Sequence, residues 1–199
     1  MRWSGNFLAR IQDRAVFFRE FLKCPRQTGS VVPSSRFLER RVVRAGNIVA
    51  SRSVVELGPG TGGITQAILD ALPPDASLLS LDINPLFCDR IRRIHDRRLT
   101  VHCGNALEME KSLADHDLAR PDAVVSGIPF STMSHETSAR LLDLIARLLP
   151  SGGRFVAYQI SNRVDGLTSP LLGEADVGLE LLSIPPQRVY CWEKNNSQP

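Results

Sequence analysis

Four glycines and a carboxylate between residues 56 and 63 form the spacing that most clearly indicates chemistry. Glu56, Gly58, Gly60 and Gly62 satisfy the pattern E-x-G-x-G-x-G, and Gly58, Gly60 and Gly63 also satisfy G-x-G-x-x-G. Small residues in such a loop let a ligand approach the backbone and meet free N–H groups. Glu56 would repel a pyrophosphate but attract a cation. The loop therefore favours a ligand that carries positive charge and no phosphate.

A second carboxylate, Asp82, ends the next apolar run, and Ile83 follows it. In α/β folds that bind nucleosides, an acid at this point accepts hydrogen bonds from the ribose hydroxyls. S-Adenosylmethionine meets both requirements, because it is a nucleoside that carries an ammonium and a sulfonium and no phosphate. We therefore predict that the loop from Glu56 to Gly62, Asp82 and the adjoining Ile83 bind S-adenosylmethionine.

Alternating strand and helix patterns must bring these residues to one edge of a sheet. The sequence predicts strands at 53–57, 78–82, 99–102, 122–126 and 154–158, and helices at 36–45, 64–72, 85–94 and 135–149, with Ser34 or Ser35 as the cap of the first helix. This alternation predicts an α/β fold, a mostly parallel sheet with helices on both faces. Two further strand patterns, 178–184 and 188–193, predict an antiparallel C-terminal hairpin on the sheet edge.

Length and composition limit the class of protein. The chain has 199 residues, of which 43% are hydrophobic and 23% charged, and these values fit one globular domain. The net charge of +3 permits an anionic partner without identifying it. We find no membrane-spanning run and no secretory signal, which predicts a cytoplasmic protein. The four cysteines and four histidines are scattered, which predicts reduced thiols and no metal site.

The N-terminal segment has a pattern of its own. Apolar residues recur at helical spacing over 7–23, and Pro25 ends this predicted amphipathic helix. Phe7, Phe18 and Phe21 with bordering arginines suit a membrane interface. A lid that packs over the cofactor would explain the same apolar face equally well.

The stretch from Val54 to Gly62 resembles the first motif of the class I (Rossmann-like) S-adenosylmethionine-dependent methyltransferases, and Asp82 resembles their second-strand acid. Gly104-Asn105-Ala106 is similar to the G-D-A segment of that family, with Asn in place of Asp. The resemblance implies a seven-stranded Rossmann-like sheet, S-adenosylmethionine as methyl donor and S-adenosylhomocysteine as product. It also implies that Asn105 and Ala106 contact the adenine. We therefore divide the chain into an N-terminal amphipathic helix, 1–25, and a methyltransferase domain, 26–199.

A narrower resemblance concerns the methyl acceptor. The segment from Ser126 to Phe130, together with residues 25–35, resembles the bacterial phospholipid (phosphatidylethanolamine) N-methyltransferase family, which is related to the rRNA adenine dimethyltransferases. This resemblance implies that the N-terminal loop residues Thr28, Gly29 and Ser30 line the methionine end of the cofactor. It also implies that Ser126 contacts the cofactor. It implies substrate contacts from Ile128 and Pro129, and Phe130 occupies the place of an aromatic that stacks on a flipped base.

The function implied is methyl transfer to the headgroup amine of phosphatidylethanolamine or another aminolipid. Its partner would be an anionic membrane surface, which places the protein peripherally on the inner face of the cell membrane; the oligomeric state is not predicted. An rRNA adenine N6-dimethyltransferase-like enzyme is the alternative, because arginines cluster at 36–44 and 90–98. A nucleic-acid partner is less favoured, since aromatic residues are only 6% of the chain. A non-catalytic S-adenosylmethionine-binding protein is a third possibility.

Catalysis requires alignment of the methyl group with a deprotonated amine. By the same resemblance Ser126 would hold the nitrogen, and Tyr158 and His135 are the candidate helpers for removing its proton. The alternative interpretation is structural, with Tyr158 as a packing residue and His135 as the first residue of a helix.

Overall fold

The computed structural model describes residues 33–159, 163–180 and 186–195. The predicted helix at 7–23 and the residues Thr28, Gly29 and Ser30 lie outside this part of the chain. The helices are α1 (Pro33–Ala45), α2 (Gly63–Ala71), α3 (Pro85–Ile91), α4 (Met109–Asp115), α5 (His135–Leu148) and α6 (Arg163–Leu172). The strands are β1 (Ser53–Leu57), β2 (Ser77–Asp82), β3 (Leu99–Cys103), β4 (Ala123–Ser126), β5 (Arg154–Gln159), β6 (Asp176–Glu180) and β7 (Gln187–Glu193). Short 3-10 helices lie at Ile48–Ala50, Ala106–Glu108 and Phe130–Thr132.

The seven strands form one sheet in the order β3-β2-β1-β4-β5-β7-β6. The first five are parallel, whereas β7 runs antiparallel to both β5 and β6. The predicted α/β class, the seven-stranded mostly parallel sheet and the antiparallel C-terminal hairpin are confirmed. The strand order reverses direction at β1, between β2 and β4. Ligands of such sheets bind beyond the carboxyl ends of the strands at this switch point.

Alternate residues along the strands divide the core between the two faces. Val54 and Val125 pack with α1 and α2 on one face, whereas Val55, Val124 and Phe155 pack with α4, α5 and α6 on the other. Helices therefore cover both faces, as predicted. Burial on both faces explains why the central strands are nearly continuous apolar runs.

Several boundaries differ from the sequence prediction. Helix α1 begins at Pro33, so Ser34 and Ser35 lie in its first turn and the prediction that one of them caps it was wrong. Helix α3 is capped by the Asn84 side chain and ends at Ile91, after which the backbone continues as a tighter turn to residue 94. Strand β6 begins two residues earlier than predicted, at Asp176.

Two helices, α4 and α6, were not predicted. Helix α6 contains a glycine and Pro170, both of which usually argue against a helix interior. Helix α4 has only seven residues, too few to establish a helical apolar pattern.

Candidate active site

The glycine loop follows β1 in a conformation that side chains rarely adopt. Gly58, Gly60 and Gly62 have φ angles of +74°, +55° and +91°. A Cβ built on Gly62 would lie 2.8 Å from Ile91 Cδ1, so this end of the loop packs tightly against α3. A Cβ on Gly60 would meet no atom within 4 Å. The loop is therefore closed on the α3 side and open at Gly60, where a ligand can approach the backbone.

Glu56 lies at the base of this loop and is completely buried. Its Oε2 accepts hydrogen bonds from the hydroxyls of Thr65, at 2.8 Å, and Ser80, at 2.9 Å. Its Oε1 is buried without a hydrogen-bond partner in the described part of the chain. Burial raises the pKa of Glu56 to about 7, against the lowering effect of the two hydroxyls. The free oxygen is thus placed to accept hydrogen bonds from a cationic ligand.

Asp82 ends β2 beside the loop and is also buried. Its Oδ1 accepts a 2.8 Å hydrogen bond from the Asn84 backbone N–H, whereas Oδ2 has no hydrogen-bond partner among the residues described. Burial raises the pKa of this carboxyl, and nearby backbone N–H groups, that of Asn84 foremost, oppose the shift. The adjoining Ile83 is 64% exposed, which leaves an apolar surface next to the carboxylate.

Asn105 follows β3 and caps the short helix that begins at Ala106. Its Oδ1 accepts a 3.0 Å hydrogen bond from the Leu107 backbone N–H, and its own N–H donates to Glu108. The oxygen expected to contact adenine is therefore already engaged in a cap. Its second lone pair would have to serve the adenine, and that contact stays a prediction. Ala106 is buried directly beside it.

The loop after β4 lies directly against the glycine loop. Gly127 N–H donates a 2.9 Å hydrogen bond to the Leu57 carbonyl, and Ile128 N–H donates one of 3.3 Å to Ser126 Oγ. A Cβ on Gly58 would lie 3.2 Å from Ile128 Cγ1. The residues expected to hold the cofactor and those expected to hold the acceptor are therefore adjacent. Pro129, the last of the predicted acceptor residues in this loop, leads into the helix Phe130–Thr132.

The side chain of Phe130 is not at the surface that its predicted stacking role requires. Its side chain is completely buried and packs edge-to-face on Phe155, with ring centroids 6.4 Å apart. The ring is part of the core and is not presented to a substrate. We correct its expected stacking role to that of an anchor for the loop.

Tyr158 and His135 have different surroundings. The phenol of Tyr158 lies so close to Gly127 that a Cβ there would be 2.7 Å from its Cζ. Burial, with Glu56 and Asp82 nearby, raises the pKa of Tyr158 far above its ordinary value, so the phenol stays protonated at neutral pH. The raised pKa favours a role for Tyr158 as a packing residue or hydrogen-bond donor over a role as general base. His135 is the exposed first residue of α5, after the capping Ser134.

Gln159, the last residue of β5, was not singled out from the sequence. Its side chain is 7% exposed and its Nε2 donates a 3.0 Å hydrogen bond to the Ile128 carbonyl. A single glutamine after an apolar strand matches no motif. The one available signal was a polar residue directly after the run from Phe155 to Tyr158, at the carboxyl end of a strand.

Residues 54–153 match the family model described as "Methyltransferase domain". The chain belongs to the class I S-adenosylmethionine-dependent methyltransferases. This methyltransferase is 31% identical to the ornithine lipid N-methyltransferase of Singulisphaera acidiphila over 147 residues, which cover 73% of this chain and 77% of that protein. It is 27% identical to ribosomal RNA small subunit methyltransferase A of Nocardia farcinica, over 95% of this chain but only 58% of that protein.

Solved structures share the fold of this methyltransferase. The N-methyltransferase NodS from Bradyrhizobium japonicum WM9 aligns with a TM-score of 0.68 at 14% identity, over 82% of this chain and 98% of NodS. The 1,6-didemethyltoxoflavin-N1-methyltransferase from Burkholderia thailandensis aligns with a TM-score of 0.69 at 13% identity, over 98% of this chain and 93% of that enzyme. Its structure contains bound S-adenosylhomocysteine.

The methyl donor of this methyltransferase is S-adenosylmethionine, and the site fits it. The two buried carboxylate oxygens without partners, Glu56 Oε1 and Asp82 Oδ2, suit the ammonium and the ribose hydroxyls as acceptors. The open approach at Gly60 allows the ligand to lie against the backbone. Among the described residues, no group of three or more potential metal ligands occurs, and no helix is long and apolar enough to cross a membrane.

Proposed function

We propose that this methyltransferase methylates the headgroup amine of phosphatidylethanolamine or another aminolipid. The observation that carries the proposal is the loop after β4, where the Ser126 hydroxyl and the Ile128 carbonyl supply oxygen acceptors beside the glycine loop. Phe130, the residue in the place of the stacking aromatic, is buried in the core. A flipped adenine needs an exposed stacking partner, whereas a lipid amine needs acceptors alone. The similarity to an ornithine lipid N-methyltransferase supports the same acceptor class.

The reaction requires alignment more than acid–base chemistry. S-Adenosylmethionine supplies an electrophilic methyl group; the lone pair of the amine forms the new N–C bond while the S–C bond breaks. In our proposal Ser126 and Ile128 hold the nitrogen through their oxygens. In our proposal the proton of the lipid ammonium leaves to water before transfer, since the raised pKa of Tyr158 disfavours its phenol as acceptor and His135 lies exposed at the start of α5.

We further propose that the protein works at the inner face of the cell membrane as a peripheral protein. The predicted amphipathic helix at 7–23 would supply apolar contact. The exposed arginines Arg40 and Arg44 of α1 add positive charge, which suits an anionic lipid surface.

A purified-protein assay tests this proposal directly. The protein is incubated with methyl-labelled S-adenosylmethionine and, separately, phosphatidylethanolamine vesicles, ornithine lipid vesicles and a small-subunit rRNA fragment. Label in a lipid supports the proposal. Label in rRNA alone contradicts it and favours the RNA alternative. The match to the Nocardia farcinica enzyme over 95% of this chain is the observation that supports that alternative.

Membrane association is tested by flotation with anionic vesicles. Replacing Phe7 and Phe18 by Glu should abolish flotation and leave S-adenosylhomocysteine binding unchanged. The double variant Val177→Glu with Leu179→Glu is the matched control, because it introduces the same two charges at half-exposed positions on the edge strand β6. Equal flotation of all variants would contradict the membrane role of residues 7–23.

A further inference from the structure

Gln159 joins two loops at the carboxyl edge of the sheet. It ends β5, and its Nε2–H donates a 3.0 Å hydrogen bond to the carbonyl of Ile128, in the loop after β4. The side chain is on the face of β5 that carries Phe155 and Ala157, both fully buried. The amide is therefore held between the core and the loop proposed to bind the methyl acceptor.

This hydrogen bond fixes which way the amide faces. The Ile128 carbonyl can only accept, so the nitrogen of Gln159 must be directed to it and the oxygen must be directed elsewhere. That oxygen, Oε1, is buried and has no hydrogen-bond partner in the part of the chain that the structure describes. Buried polar atoms are nearly always satisfied, so an unpaired one beside a proposed binding loop requires an explanation, and a donor on the ligand supplies one.

We infer that Gln159 binds the nitrogen of the methyl acceptor, with Oε1 accepting one of its N–H groups while Nε2 keeps the Ile128 carbonyl in place. This inference rests on the proposed location of the acceptor beside that loop. Glu56 and Asp82 already provide acceptors for the cofactor, whereas Gln159 contacts the loop after β4. The donor that Oε1 lacks is thus an N–H of the acceptor.

The chemistry of transfer explains why an amide suits this position. The nitrogen gains positive charge as the N–C bond forms, and an oxygen dipole already directed at it stabilises that charge. A carboxylate would stabilise the protonated amine before reaction and would raise its pKa. A protonated amine has no lone pair for attack. A neutral acceptor therefore assists the transition state without holding the substrate in its unreactive form.

The test compares Gln159→Leu with wild type on the acceptor that wild type methylates. We expect kcat/KM for the acceptor to fall about 10- to 100-fold. This is no larger than the loss of rate seen in enzymes when one preorganised hydrogen bond to the transition state is removed. Affinity for S-adenosylhomocysteine, measured by calorimetry, should stay within twofold. Thr168→Val is the matched control, because it removes another buried side-chain hydrogen bond, to the Val164 carbonyl. It should leave kcat/KM unchanged at a similar loss of thermal stability.

Gln159→Glu adds a readout that a packing role would not produce. A protonated glutamic acid can donate to the Ile128 carbonyl and still accept through its other oxygen, so the variant should approach wild-type activity at low pH. The ratio of variant to wild-type activity should fall as pH rises, while circular dichroism and S-adenosylhomocysteine affinity stay constant.

Three results would overturn the inference. They are wild-type kcat/KM in Gln159→Leu, an equal loss in Thr168→Val, or a pH-independent ratio for Gln159→Glu. If wild type methylates rRNA but no aminolipid, the proposed function fails, and the same comparison on rRNA still decides the role of Gln159. If wild type methylates neither, both proposals fail.

Discussion

The Ser80 hydroxyl donates a 2.9 Å hydrogen bond to Glu56 Oε2 between two strands in which these residues are direct register partners. Thr65 donates to the same oxygen from α2, so the other oxygen, Oε1, is left for a ligand. Neutral hydroxyls hold the carboxylate in place without neutralising it. Ser80 and Thr65 therefore orient Glu56 so that Oε1 can meet a cation once the carboxyl is ionised.

Glu56→Gln should change how stability depends on pH. The pKa of Glu56 is about 7 in the folded protein and near 4.5 in the unfolded chain. The folded state therefore binds more protons between these values, and the free energy of unfolding falls as pH rises from 4.5 to 7, by about 3 kcal/mol. The variant should lack this fall. Urea unfolding of both proteins at pH 5 and pH 8 measures it, and identical pH dependences would contradict the assignment.

Cofactor affinity should depend on the same titration of Glu56, but it should rise with pH over the range in which the free energy of unfolding falls. A cationic ligand binds the ionised carboxylate, so affinity for S-adenosylhomocysteine should fall as pH drops below about 7, by at most roughly tenfold per pH unit. Calorimetry between pH 5.5 and 7.5 tests this in wild type. Glu56→Gln should bind more weakly at pH 7.5 and lose most of the pH dependence; a variant with the wild-type slope would exclude Glu56 as its origin.

Asp82→Ala should weaken binding of S-adenosylhomocysteine by about 1–3 kcal/mol, because hydrogen bonds to a charged acceptor are lost. Asp89→Ala, an exposed carboxylate on α3, is the control and should bind as wild type does. Isothermal titration of the three proteins at one pH gives the comparison. An unchanged affinity in Asp82→Ala would remove this residue from the site.

Comparing Gly60→Ala with Gly152→Ala should separate the cost of backbone strain from the exclusion of a ligand by the added methyl group. Gly60 and Gly152 both have positive φ angles, +55° and +77°, and at both a Cβ would meet no atom within 4 Å. Alanine at either position should cost about 1–2 kcal/mol of folding free energy. Only Gly60→Ala should also reduce cofactor affinity. If both variants bind equally well, the ligand does not approach Gly60.

Tyr158→Phe should leave the pH profile of kcat/KM unchanged in shape, because the raised pKa keeps the phenol protonated throughout the neutral range. His135→Ala, measured alongside, should retain activity within about twofold. The side chain is exposed, so solvent screens its interactions and they contribute little free energy. Initial rates from pH 6 to 9 test both variants. The disappearance of one limb in either would identify a proton acceptor and require a different mechanism.

The sequence predicted those parts of the site that depend only on residues close together along the chain. The run from Ser53 to Leu57 ends where glycines begin, so β1 and its loop were assigned correctly, and Asp82 follows because it ends the next apolar run. Phe130 was misjudged because its burial depends on contact with Phe155, a residue distant in the chain. Gln159 was missed for the same reason, since only the folded sheet brings it to Ile128.

The position of β7 between β5 and β6 has a consequence for synthesis on the ribosome. Translation delivers β6 before β7, yet among the described strands β6 pairs with β7 alone. A nascent chain that has reached Glu180 therefore has an edge segment that cannot yet join the sheet. It also lacks Trp192, which stacks on Phe155 at a centroid distance of 5.2 Å. We expect β1 to β4, whose ends carry the predicted cofactor residues, to assemble while the chain is still growing, and the sheet beyond β5 to be completed only after β7 emerges.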